Sequence, residues 1–221
     1  MFVTLGGVLN SEEMAAINSI LSKLEFRDGR ATAGWHARMV KDNDQAAPSA
    51  ALRQVQDQIV KALERHPMFR SLALPRRIMP PIISRYANAQ NYGNHIDDAI
   101  MGQPPMRTDL SCTLFLTEPD TYDGGDLVAV GRDGEEAVRL PAGNAVIYPS
   151  TTLHRVEPVT RGVRMVAVTW IQSMVRDAAI RDILLDLEQA RQMVFERQGK
   201  STEFDLLSRA RSNLLRHSAE P

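Results

Sequence analysis

Apolar positions along the 221-residue chain recur with one period, then another, then the first again. In the opening third, Met14, Ile17, Leu21 and Leu24 repeat at helical spacing, with Ser11 placed as an N-cap and Glu12 and Glu13 in the first turn, where the helix dipole favours negative charge. Asp28-Gly29 ends that element as a turn, and the mixed stretch 31–47 reads as strand and loop. Pro48 opens a second helix striped by Leu52, Val55, Ile59 and Leu63. His66-Pro67 closes it, because a residue before proline avoids the helical region.

From Ile78 the period becomes two. Ile82, Ser84 and Tyr86 alternate with Ile83 and Arg85, and an Asn-rich turn follows over 88–94. In 108–116, Leu110, Cys112 and Leu114 share one face, while Asp109, Ser111 and Thr113 share the other. Short strands are then predicted at 127–130, 137–140, 145–148, 153–156 and 163–171, separated by Gly-Gly, Asp133-Gly134, Pro-Ala-Gly-Asn, Pro-Ser and Arg-Gly turns. Strands this short and this closely spaced suggest an antiparallel sandwich or jelly roll. After Ser173 the helical period returns. Ile180, Ile183, Leu184, Leu187 and Val194 form one stripe, Gly199 breaks it, and Phe204, Leu207, Ala210 and Leu214 form another behind Ser201. The expected organisation is α+β: an N-terminal helical and mixed region over 1–77, a sheet core over 78–174, and a C-terminal helical hairpin over 175–221.

Composition narrows the chemistry. With 26 Lys+Arg against 27 Asp+Glu, the net charge of −1 argues against a basic footprint for nucleic acid or anionic membrane. A single cysteine, Cys112, excludes an intrachain disulfide and any cysteine-built metal cluster, and it reads as a small buried hydrophobe. No apolar run approaches the roughly 18–20 residues of a spanning helix, and the N-terminus has no basic region followed by a long apolar stretch, so a cytoplasmic setting is the expectation. A homo-oligomer is compatible with the apolar stripes of the C-terminal hairpin.

Five histidines remain. His95 and Asp97 are separated by one residue, so on a strand they point to one face and offer a nitrogen and an oxygen to the same ion. His154, on another short strand, is the third donor. Two imidazoles and one carboxylate form the facial triad of non-haem Fe(II) oxygenases. The bare His-x-Asp pair is equally compatible with a strand-surface pair. Arg164 weighs against that reading: it shares a strand face with Val166, Val168 and Trp170, which would stand a guanidinium in an apolar interior where it needs an anion. The turn between His154 and Arg164 places them on adjacent antiparallel strands, so the pocket offers an ion site and a carboxylate clamp together. An internal Arg–carboxylate pair is the alternative. His36, His66 and His217 have no metal-like partners; His66 reads as a helix-end residue and His217 as exposed. Trp35 is a lid or a core residue.

His95-x-Asp97, His154 and Arg164 resemble the Fe(II)/2-oxoglutarate dioxygenases of the prolyl-4-hydroxylase-like branch. Tyr122-Asp123-Gly124-Gly125-Asp126-Leu127 is similar to that branch's Y-x-G-G-[DE]-L hairpin, and 140–149 to its P-x-x-G segment before the distal histidine. Met106-Arg107-Thr108-Asp109-Leu110-Ser111, Tyr148-Pro149-Ser150, 158–164 and Trp170-Ile171-Gln172-Ser173-Met174 resemble the bacterial PKHD-type hydroxylases more narrowly. The resemblance implies a double-stranded β-helix, or jelly-roll, core with the N-terminal helices packed on it. It implies Fe(II) on His95, Asp97 and His154, 2-oxoglutarate held by Arg164 and Tyr86, O2 as oxidant and ascorbate as a candidate reductant. The expected reaction is hydroxylation of an unactivated C–H of a small-molecule or amino-acid-derived substrate, releasing succinate and CO2. Lys41, Asn43, Arg107 and Asp109 are candidate substrate contacts. Two other readings use the same residues: a cupin-like metal enzyme without 2-oxoglutarate, and a non-enzymatic iron or 2-oxoglutarate sensor.

Overall fold

A computed structural model describes residues 2–32, 34–132 and 134–220; Asp133 of the predicted Asp133-Gly134 turn lies outside them. Two antiparallel sheets face one another. The larger runs Val3–Leu5, Ala145–Pro149, Leu110–Phe115, Arg164–Ser173, Ile82–Tyr86, Asp44–Ala46 and Phe26–Asp28, with Pro75–Ile78 also paired to the long strand Arg164–Ser173. The smaller runs Gly134–Val138, Leu127–Gly131, Leu153–Val156, Asn91–His95 and Lys41–Asp42. This is the expected jelly roll. The segment 41–46 passes from the small sheet to the large one and forms a corner on one side of the barrel.

Helices cover the outer face of the large sheet. Met14, Ile17 and Leu21 of α1 (Ser11–Leu21), Leu52, Val55, Ile59 and Leu63 of α2 (Ala50–Arg65) and Phe69 of α3 (Pro67–Ala73) pack on Ile83, Leu110, Cys112, Leu114, Ala167 and Ile171. The alternation read at 108–116 therefore holds: its apolar side meets the helices, and Ser111 and Thr113 turn inward. Between the sheets, Tyr86, Phe115, Val146, Tyr148 and Val166 meet Leu127, Ala129 and Val156. The hairpin of α4 (Ala178–Gln198) and α5 (Thr202–Ser218) packs Leu184 with Leu74 and Val175 in a small separate cluster and sets Leu185 against the main core. No helix among the described residues is long and apolar enough to cross a membrane.

Several local expectations are corrected. Asn10, not Ser11, caps α1: its side chain accepts from Glu13 N while Glu13 reaches back to Asn10 N, a capping box set one residue earlier. Ser49 caps α2, one residue after Pro48. His66 closes α2 and also opens α3, its Nδ1 accepting from Phe69 N at 3.3 Å; α3, at seven residues, is only about two turns long and too short to show a stripe in the sequence. The Asn-rich turn ends at Gln90, and Asn91–His95 is a strand. The strand Val159–Arg161 was also unforeseen. It pairs with Asp123–Gly124 and diverts the chain between Leu153–Val156 and Arg164–Ser173. His154 and Arg164 consequently stand on opposite sheets and not on adjacent strands.

Cys112 is fully buried, and burial pushes its thiol up to about 12. The native protein is therefore expected to resist an aromatic disulfide reagent at pH 8 and to titrate one thiol only after denaturation. Rapid native labelling would show that the helix-facing side of the large sheet opens readily.

Candidate metal and cosubstrate site

The two sheets enclose a cavity of about 410 Å³ that opens beside His95, Asp97 and His154. His95 ends the strand Asn91–His95, and His154 lies directly opposite it on Leu153–Val156. Asp97 follows the end of the strand, but the side-chain alternation carries through, leaving Ile96 exposed and Asp97 turned inward. One ligand atom from each of His95, Asp97 and His154 lies within 4.8 Å of the others.

The donor set is prepared for a cation. His95 Nδ1 donates to Gly93 O at 2.8 Å and His154 Nδ1 to Thr152 O at 2.9 Å; carbonyls only accept, so both Nε2 atoms are left as lone-pair donors. Burial, and secondarily the neighbouring His154, pulls His95 down to about 4, so it is a neutral imidazole at pH 7. Tyr92 stacks on the His95 ring at 3.6 Å between centroids and 11° between planes, and Tyr148 meets His154 edge-on at 5.1 Å. Ser111 Oγ donates to Asp97 Oδ2 at 2.6 Å and lies 2.8 Å from Ser150 Oγ. Ser111, backed by Ser150, thus fixes Asp97 with the same Oδ2 standing 3.9 Å from His154 Nε2. Sequence reading missed their role, although the inward-facing Ser111 was visible in the alternation. Ser111→Ala is expected to weaken divalent-metal affinity 10–100-fold with the fold intact, as measured by calorimetric Mn(II) titration. An unchanged affinity would make the serine pair mere packing.

Across the cavity, Arg164 is 1% exposed and its Nε and Nη1 have no hydrogen-bond partner. Tyr86 pairs with it in register, and the guanidinium lies 5.2 Å from the Tyr86 ring centroid and 5.4 Å from that of Phe115. Burial lowers the Arg164 pKa and raises that of Tyr86. A buried guanidinium with unmade hydrogen bonds is a seat for an anion. The Gly-Gly hairpin closes over this seat. Gly125 has φ +70°, and a Cβ there would come within 2.8 Å of Arg164 Cδ and of Val159 Cγ2, so only glycine allows the close approach.

The candidate substrate residues divide. Lys41 and Asn43 line the cavity from the corner segment, and both are buried. Arg107 and Asp109 do not reach it. They pair at 2.7 Å; Arg107 also holds Glu220 at 3.2 Å and Ser173 O at 3.2 Å, and Asp109 accepts from Ser173 N at 2.8 Å, so together they brace the C-terminal tail. Trp35 is 81% exposed and rests against His36, so it belongs to no core. His66 Nε2 is 3.1 Å from Gly6 O, a helix-end role, and His217 lies exposed in the last turn of α5.

A jelly roll that holds a His-Asp-His cluster opposite an unpaired buried arginine defines a 2-oxoglutarate- and Fe(II)-dependent oxygenase. The model of the 2OG-Fe(II) oxygenase superfamily matches residues 81–172. A PKHD-type hydroxylase of Gloeothece citriformis is 48% identical over 220 residues, covering 100% of both chains, and one of Synechococcus elongatus is 47% identical over 223 residues, again covering 100% of both. Among solved structures, a viral collagen prolyl hydroxylase from Paramecium Bursaria Chlorella virus-1, in a 2-oxoglutarate complex, superposes with TM-score 0.53 at 17% identity, over 78% of this chain and 96% of the other. HygX of Streptomyces hygroscopicus, with nickel and 2-oxoglutarate bound, gives 0.55 at 12% identity, over 79% and 84%. The chain belongs to the PKHD-type hydroxylases.

Proposed function

We propose that His95, Asp97 and His154 hold the Fe(II), that Arg164 and Tyr86 hold 2-oxoglutarate, and that a small-molecule substrate is hydroxylated at an unactivated C–H beside the corner formed by Lys41 and Asn43. The observation that carries this reading is the orphaned guanidinium of Arg164 facing the His-Asp-His cluster across one cavity. When bound, the iron and 2-oxoglutarate supply oxygen activation coupled to oxidative decarboxylation. The chain's own part is placement. His95 and His154 present lone pairs fixed by backbone carbonyls, and Ser111 orients Asp97. Arg164 receives a carboxylate, with Tyr86 beside it to donate a hydroxyl proton. Val156, Val166 and Leu127 keep water from the wall between them. The cytoplasm is the proposed compartment, in keeping with one buried thiol and no disulfide.

Purified protein given Fe(II), 2-oxoglutarate and air is expected to release succinate slowly without substrate, and to lose that activity on chelation. Absence of both succinate release and 2-oxoglutarate binding would remove the enzyme reading of this cavity.

A further inference from the structure

Arg164 is not the cavity's only buried cation. Lys41 is 6% exposed and lines the same space on the edge of the small sheet, in register with Tyr92. Its Nζ donates to Thr32 Oγ1 at 2.9 Å and lies 5.2 Å from the centroid of the Tyr92 ring, the ring that stacks on His95. Among the described residues no carboxylate forms an ion pair with it. Two residues on, Asn43 is 2% exposed, and neither its amide oxygen nor its amide nitrogen has a hydrogen-bond partner. One corner of the cavity thus carries an ammonium whose side-chain acceptor is the neutral Thr32 hydroxyl and an amide with no hydrogen-bond partner, both residues more than nine-tenths buried.

The charge count shows what they await. Once a divalent ion and the 2-oxoglutarate dianion are in place, Lys41, Arg164 and the ion contribute four positive charges. Asp97 and the dianion contribute three negative ones. Asp98 also lines the cavity, but it is exposed at the mouth and solvated. One buried positive charge is left over at Lys41, and a buried ammonium without a counter-ion is costly. Its pKa, pulled down by burial to about 8 against the distant pull of Asp97 and Asp28, fits that state. Beyond Lys41 the walls turn apolar, with Met79, Ile82, Ile100, Met101 and Val168.

We infer that the substrate is a monoanionic acid with an apolar body, its carboxylate seated on Lys41 and Asn43. This rests on the assignment of iron and 2-oxoglutarate to the two sides of the cavity, because only then is Lys41 left over. An acid bound there lies one aromatic ring away from His95, which brings its carbon skeleton beside the metal cluster. The seat also gives selectivity: a neutral amide or ester leaves the ammonium unpaired.

The test is equilibrium binding, with Mn(II) in place of iron and 2-oxoglutarate present. Hexanoate and hexanamide are titrated by calorimetry into the wild type, Lys41→Met and Lys41→Gln, with circular dichroism confirming the fold of each variant. The wild type should bind hexanoate at least tenfold more tightly than hexanamide, and both variants should bind the two probes alike. Both variants should bind 2-oxoglutarate within threefold of the wild type. Equal binding of acid and amide by the wild type, or binding of neither, overturns the inference. So does a tenfold loss of 2-oxoglutarate affinity in both variants, which would place Lys41 in the cosubstrate's own seat. A wild type that fails to bind 2-oxoglutarate counts instead against the assignment of Arg164, so the two failures are distinct.

Discussion

Replacement of Arg164 by methionine is expected to raise the KM for 2-oxoglutarate at least about 30-fold while leaving divalent-metal affinity within a few fold of the wild type. The split follows from the fold. Arg164 stands on the large sheet, whereas His95 and His154 pair with one another on the small sheet. The magnitude follows from what the guanidinium lacks. Nε and Nη1 are buried without partners, so the protein has already met the cost of desolvating the charge, and the arriving carboxylate gains charge-assisted hydrogen bonds in a dry site. Truncating one side of such a pair costs about 2–5 kcal/mol, and each 1.4 kcal/mol is a factor of ten.

The same residue should invert a stability ranking. Without ligand, Arg164→Met removes an unpaired buried charge and fills the space with apolar atoms, so the variant should melt a few degrees above the wild type. With metal present throughout, 2-oxoglutarate at about 100 times its wild-type Kd adds roughly 2.7 kcal/mol to the wild type, which should then melt higher, while it adds less than about 1 kcal/mol to the variant. Paired thermal melts with and without 2-oxoglutarate check this. A wild type whose melting temperature does not respond to 2-oxoglutarate would return the cavity to the cupin-like reading, and a variant that responds as strongly as the wild type would place the cosubstrate carboxylate on another residue.

The chemistry of the site was more legible than its layout. Strand alternation is a local property, so His95 with Asp97, the inward face Arg164–Val166–Val168–Trp170, and the two-sided strand carrying Cys112 could be read from neighbours a few positions away. Which sheet a strand joins is settled by long-range pairing. The short strand Val159–Arg161 carries no hydrophobic signal beyond one valine, yet it separates His154 from Arg164 and sets them face to face. In the proposed function that opposition matters more than adjacency, because 2-oxoglutarate would span from the metal ligands to the arginine. The corner segment 41–46 was half hidden: its polar sequence Lys-Asp-Asn-Asp-Gln reads as strand and loop, but only the crossing between sheets shows that Lys41, Asn43 and Gln45 turn inward. Arg107 and Asp109 show the reverse error. Their place in a stretch resembling the PKHD-type hydroxylases suggested substrate contact, but their charges are consumed by each other, Ser173 and Glu220.

Asp97→Asn should abolish the activity without disturbing the fold, with turnover falling below about 1% and divalent-metal affinity falling 100-fold or more. Asparagine keeps the shape of the side chain and an oxygen that can accept from Ser111, so the hydroxyl pair Ser111–Ser150 stays satisfied and the cavity does not collapse. What is lost is the only negative charge among the three ligands, and an ion held by two neutral imidazoles and an amide is held weakly. The ligand-free variant should be as stable as the wild type or slightly more so, because a side chain that is 8% exposed no longer carries a charge. The wild type should be stabilised by added Mn(II) and destabilised by a chelator, whereas Asp97→Asn should respond to neither. Asp97→Glu separates charge from position: the carboxylate returns but is displaced by one methylene from the Ser111 hydroxyl, so metal binding should recover in part while turnover stays low. Calorimetric metal titration of the three proteins checks both parts. If Asp97→Asn binds metal within threefold of the wild type, the third donor must be sought elsewhere, and the Ser111–Asp97 hydrogen bond becomes an internal brace for the segment after His95.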